Sequence, residues 1–90
     1  VTIHTFDSDQ EAIEIANCTE YGLAGSVWST EKGFEVAKQI ESGMVWVNTW
    51  LHRDLRVPFG GIKNSGVGRE GGMWSINFFS EVVNICVKEH

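Results

Sequence analysis

The stretch "LAGSVWSTEKGFEVAKQIESGMVWVN", Leu23 to Asn48, decides the fold. Its first residues, Leu23–Ser29, read as a strand, and Ser29 or Thr30 supplies a helix N-cap. Phe34, Ala37 and Ile40 recur at helical spacing and predict one buried face, with Gly43 as the stop. "MVWVN", Met44–Asn48, is short and wholly apolar, as expected of a strand covered on both faces. Strand, helix and strand at this spacing predict parallel strands joined by a right-handed crossover.

Working outward, "VTIHTF" (Val1–Phe6) alternates and predicts a further strand. Ser8 and Glu11 form a capping box, and Ala12, Ile13 and Ala16 make one apolar stripe. A helix is therefore expected from Ser8 to about Asn17, stopped by "TEYG". The fold class is α/β, a β-α-β-α-β parallel-sheet portion. A Gly-rich loop of more than 20 residues follows Asn48, then a short helix over Gly72–Phe79 and a closing strand within Glu81–Lys88. Loops that long in a small domain are usually functional or disordered.

Ninety residues make one small domain or a piece of a larger one. Folding at this size buries only about 60–65% of the unfolded surface. The opening "VTIHTF", without Met or a polar lead-in, suggests a chain cut from something longer. A net charge of −5 argues against nucleic acid or an anionic membrane as partner, and no apolar run is long enough to span a membrane. Between His52 and Glu70, however, four basic side chains face two acidic ones, while the remainder carries three Lys against ten acids. A local cationic zone in an acidic chain suits a small anion. Cys18 and Cys86 have no metal spacing and fit buried thiols in a reducing, cytoplasmic setting.

The cationic zone lies in "VNTWLHRDLRVPFGGIKNSGVGREGG", Val47–Gly72. "GVGREG" (Gly66–Gly71) matches the dinucleotide fingerprint G-x-G-x-x-G, but no strand feeds it and too few residues follow. The glycines instead predict positive φ and close backbone approach. Asn48 ends a buried strand at its carboxyl end, where α/β sheets place ligands. Trp50, Leu51, His52, Arg53 and Phe59 follow in a loop stiffened by Pro58. Aromatic walls with a guanidinium suit a flat carboxylate, because Arg binds carboxylate bidentately. Against this stands a solvated Arg53 paired with Asp54 or another acid, with Trp50 and Phe59 serving as packing.

These motifs carry a resemblance. "GMVWVN…PFGGIKNSGVGREGG" resembles the C-terminal signature of the aldehyde dehydrogenase superfamily, and "FDSDQEAIEIAN-x-TEYGLA" resembles the run after its E-x-F-G-P motif. Within the superfamily, "VNTWLHRDLRVPFGG" is most similar to the 2-hydroxymuconic and 2-aminomuconic semialdehyde dehydrogenases. Those enzymes oxidise an unsaturated, carboxylate-bearing semialdehyde with NAD. The resemblance implies that Arg53, five residues after Asn48, projects into the substrate channel as the carboxylate ligand, with Arg56 its competitor. It implies Phe59 near the reacting carbon, Leu51 near the channel mouth and Trp50 in packing.

The same resemblance places the Cys nucleophile, Glu base, oxyanion-hole Asn and NAD site upstream of Val1. It thus implies no catalytic, cofactor-binding or metal residue in this chain, which alone would be inactive. It also implies residues 1–80 in the catalytic domain and 81–90 as a strand that builds a homo-oligomer. The alternative is a stand-alone, non-catalytic binding module or a truncated product.

Overall fold

The computed structural model describes every residue from Val1 to His90. The first helix, α1 (Asp9–Asn17), begins where the capping box predicts. The Ser8 hydroxyl accepts the Glu11 N–H at 3.1 Å, and the Glu11 carboxylate accepts the Asp7 N–H at 2.8 Å. The first bond satisfies a donor that the first helical turn leaves open, while the second ties the residue before the N-cap to the helix instead of closing onto Ser8 itself. Ile13 is the side chain of α1 that becomes buried, which contributes about 1.5–3 kcal/mol.

After a two-residue strand β1 (Tyr21–Gly22), the chain forms β2 (Ala24–Val27), α2 (Gly33–Ala37) and β3 (Met44–Val47). Strands β2 and β3 pair in parallel, from Ala24 opposite Met44 to Val27 opposite Val47. This is the β-α-β unit expected from Leu23–Asn48. Its helix is shorter than predicted, because Gln39 and Ile40 close tighter i−3 turns onto Val36 and Ala37. Ser29 accepts the Lys32 N–H at 3.1 Å, so the expected cap residue is used one turn ahead of Gly33. Phe34 was expected on the buried face and is 68% exposed, lying under the Lys38 ammonium instead. Val36, Ala37 and Ile40 are the half-buried positions of this segment.

Two predicted strands do not form within the chain. Val1–Phe6 and the segment after Ser80 have no ladder partner, and their apolar side chains on both faces are exposed. A strand exists through hydrogen bonds to a neighbour, so an alternating pattern alone cannot make one. The predicted β-α-β-α-β sheet is therefore reduced to one parallel pair. An unpredicted antiparallel ribbon accompanies it: β1 pairs with β4 (Ile62–Lys63), Gly22 opposite Ile62. The last helix, α3 (Gly72–Phe79), occupies the predicted residues.

Only Ile13 and Trp46 are buried large hydrophobes. The Cα radius of gyration is 18.7 Å, where a compact chain of this length has roughly 12 Å. The chain encloses no core of its own, and most of its apolar surface stands open. No helix is long and apolar enough to cross a membrane.

Candidate functional site

The site is built at the carboxyl end of β3. Asn48 leaves the strand with φ of 54°, and its side-chain amide clasps Ser29, accepting the N–H and donating to the carbonyl, both at 2.8 Å. That double bond ties together the exits of the two parallel strands. Ser26 Oγ donates to the Thr49 carbonyl at 2.8 Å, and the buried Trp46 indole N–H donates to the His52 carbonyl at 2.9 Å. The segment 49–52 is thus folded back across the end of β3. Trp50 lies edge-on against Trp46, with ring centroids 4.9 Å apart, and remains 56% exposed.

The loop then turns at Asp54–Val57, closed by Val57 N–H to Asp54 O at 3.1 Å. Phe59 and Glu70 exchange backbone bonds of 2.7 and 2.8 Å, so residues 60–69 form a closed excursion rather than a free loop. Lys63, at φ 53°, anchors that excursion through Glu41 and the Asn17 and Thr19 carbonyls. Arg69 donates to the carbonyls of Gly61 and Gly68 at 2.8 and 2.7 Å.

The four cations of the loop therefore differ in kind. Lys63 and Arg69 are consumed in holding the backbone. Arg56 grips Asp54: its Nε reaches the two carboxylate oxygens at 2.9 and 3.1 Å, and its Nη2 reaches Oδ2 at 2.5 Å. Those bonds hold the Asp54 carboxyl below the usual carboxylate range and push Arg56 up. Arg53 has no acidic partner. Its guanidinium carbon lies 4.3 Å from the centroid of the Phe59 ring, within cation–π distance. The Arg53–Asp54 pair weighed from the sequence is absent because Arg56 holds Asp54. Asp54 also accepts the Arg56 N–H at 2.9 Å, the i to i+2 bond of an Asx-turn, which turns its carboxylate toward Arg56.

Arg53 and Phe59 are thus brought together, and Leu51 is 56% exposed at φ 56°. Phe59 also lines a groove of about 360 Å³ between the Gly-rich excursion and α3, with Val67, Phe78 and Phe79. A larger gap of about 440 Å³ separates α1 from β2 and α2. It is lined by Ile13, Val36 and Ile40 and bounded by the Asp9–Lys32 ion pair, which marks it as an unfilled packing face.

Gly60 and Gly71 serve close approach of backbone to backbone, since Cβ atoms there would meet the Gly68 and Val57 carbonyl oxygens at 2.5 and 2.4 Å, whereas Gly66 and Gly68 have room around them and are required by their positive φ. No group of His, Cys, Asp and Glu is placed to hold a metal, and Cys18 and Cys86 are exposed rather than buried as expected. Neither lies in an enclosing apolar environment, because the chain buries so few residues.

A β-α-β unit whose strand exit carries a pinned Asn, followed by an aromatic–guanidinium loop and a Gly-rich excursion, makes this an α/β segment. Residues 1–85 match the aldehyde dehydrogenase family, and the chain belongs to that family. Among curated relatives, it is 56% identical over 88 residues to 2-hydroxymuconic semialdehyde dehydrogenase of Pseudomonas putida, covering 96% of this chain and 18% of that protein. It is 54% identical over 85 residues to human 2-aminomuconic semialdehyde dehydrogenase, covering 92% of this chain and 18% of that protein. Among solved structures, betaine aldehyde dehydrogenase of Staphylococcus aureus in complex with NAD+ superposes with a TM-score of 0.83 at 41% identity. That match covers 88% of this chain and 16% of that one. The chain thus spans less than a fifth of the length of the curated relatives it matches.

Proposed function

We propose that the full-length protein is an NAD-dependent aldehyde dehydrogenase. Its substrate is an unsaturated, carboxylate-bearing semialdehyde of the 2-hydroxymuconate or 2-aminomuconate type, which it oxidises to the acid. Residues 1–80 contribute part of the catalytic domain and one wall of the substrate channel, and residues 81–90 contribute a subunit-contact strand. NAD and the reacting groups are held by other parts of that protein. The names of the similar proteins support the substrate class, and the carboxylate it implies needs a cation.

The observation that carries the reading is the state of Arg53, the single loop cation without an acidic or carbonyl partner, its guanidinium carbon over the Phe59 ring at 4.3 Å from the centroid. A guanidinium without an acidic or carbonyl partner has its donors free for a bidentate carboxylate. Phe59 would orient both the guanidinium and the flat unsaturated chain, and Leu51 would lie near the mouth. In the full-length protein, Arg53→Ala is expected to lower kcat/KM for the carboxylate-bearing semialdehyde by about 10- to 150-fold, the worth of a hydrogen bond to a charged group. A neutral aldehyde of similar size should lose far less. Equal loss on both substrates, or no loss on either, refutes the assignment.

A further inference from the structure

Arg53 and Asp54 are neighbours in the chain, and a carboxylate tethered that closely competes with any dissolved one. Short tethers hold two groups at effective concentrations in the millimolar range, so a free Asp54 would occupy Arg53 for part of the time. The loop arranges otherwise. Both Asp54 oxygens face Arg56, which reaches them through Nε and Nη2, while the Arg56 N–H fixes Oδ1 from the backbone side.

From this the geometry points to Arg56 as a positioning residue: it holds the Asp54 carboxylate away from Arg53 and so keeps Arg53 open to the carboxylate of the substrate. The inference rests on Arg53 being the substrate-carboxylate ligand. It gives the second cation of "RDLR" a role that involves no contact with substrate. Arg56 has a side chain 87% exposed and that of Asp54 is 43% exposed, so the pair adds little to folding and acts through occupancy alone. An ordinary Asp carboxyl is ionised at neutral pH even without Arg56, so loss of Arg56 would release a full negative charge beside Arg53.

The test uses four variants of the full-length protein, Arg53→Ala, Arg56→Ala, Asp54→Asn and the Asp54→Asn/Arg56→Ala double. Each is read as the ratio of kcat/KM for 2-hydroxymuconate semialdehyde to that for benzaldehyde. Arg56→Ala should lower the ratio by about 2- to 5-fold, the strength of an exposed ion pair formed in the wrong place. Adding Asp54→Asn should restore it, because the competing charge is gone while the amide oxygen still accepts the Arg56-position N–H. A double variant that stays as low as Arg56→Ala overturns the inference and makes Arg56 a direct ligand. An unchanged ratio in Arg56→Ala also overturns it. If Arg53→Ala itself leaves the ratio intact, the underlying assignment of Arg53 fails, which is a separate and recognisable result.

Discussion

Gly43 is the point where the β-α-β unit touches the Gly-rich excursion, and Gly43→Ala should pry the two apart. A Cβ at this position would lie 1.7 Å from the Gly60 carbonyl oxygen, 2.7 Å from its carbon and 3.0 Å from Gly61 Cα. All three are backbone atoms, so no side chain can swing away. Bringing the oxygen out to even 3.0 Å requires a displacement of about 1.3 Å. Gly43 cannot supply it freely, because its N–H is bonded to Gly22 O at 3.0 Å. Gly60 is flanked by the Phe59–Glu70 bonds and by the Arg69 bond to Gly61. Overpacking costs about 1–3 kcal/mol, and losing one or two neutral hydrogen bonds adds about 0.5–1.5 kcal/mol each. A destabilisation of about 2–5 kcal/mol follows for this part of the full-length protein. The assay is the half-life of activity at a fixed elevated temperature, since large proteins unfold irreversibly. Gly25→Ala is the control: its Cβ would meet Ile40 and Ser42 side chains at ordinary distances of 3.5 and 3.7 Å. Equal half-lives for Gly43→Ala and Gly25→Ala would refute the close-approach argument.

Three further outcomes are expected. The purified 90-residue chain should generate no NADH from a semialdehyde and NAD, because the proposed reading places the NAD site and the reacting groups in other parts of the full-length protein; steady absorbance growth at the NADH band would count against this. Ile85→Pro in the full-length protein should shift light scattering to smaller species, since Pro removes a ladder donor from an apolar segment left unpaired in this chain; an unchanged mass would remove the subunit-contact role. Because the Asp54 carboxyl is held low, its pairing with Arg56 is fully present above the unfolded-state carboxyl range and is lost only as pH falls through the lower folded value. Carbon-detected titration of Asp54 should accordingly show a midpoint below that of the Arg56→Ala variant, and coincident midpoints would contradict the pairing.

Local chemistry wrote much of this structure into the sequence. Ser8 and Glu11 set the start of α1, because a capping box needs only residues three apart. The β2-α2-β3 unit and α3 were legible for the same reason, as periodicity and stop signals act within a few turns. Arg53 and Phe59 could be singled out as a pair, though not their distance. The family was legible as well, from the order and spacing of motifs over nearly the whole chain. Long-range contact decided the rest. Val1–Phe6 and Val82–Val87 have strand patterns but no partner, and a strand is a relation between two segments. The pairing of β1 with β4 joins residues some 40 apart, which no local pattern encodes. Most of all, the sequence offers Asp54 equally to Arg53 and Arg56. Only the folded turn, which points both carboxylate oxygens at Arg56, settles which cation is left free.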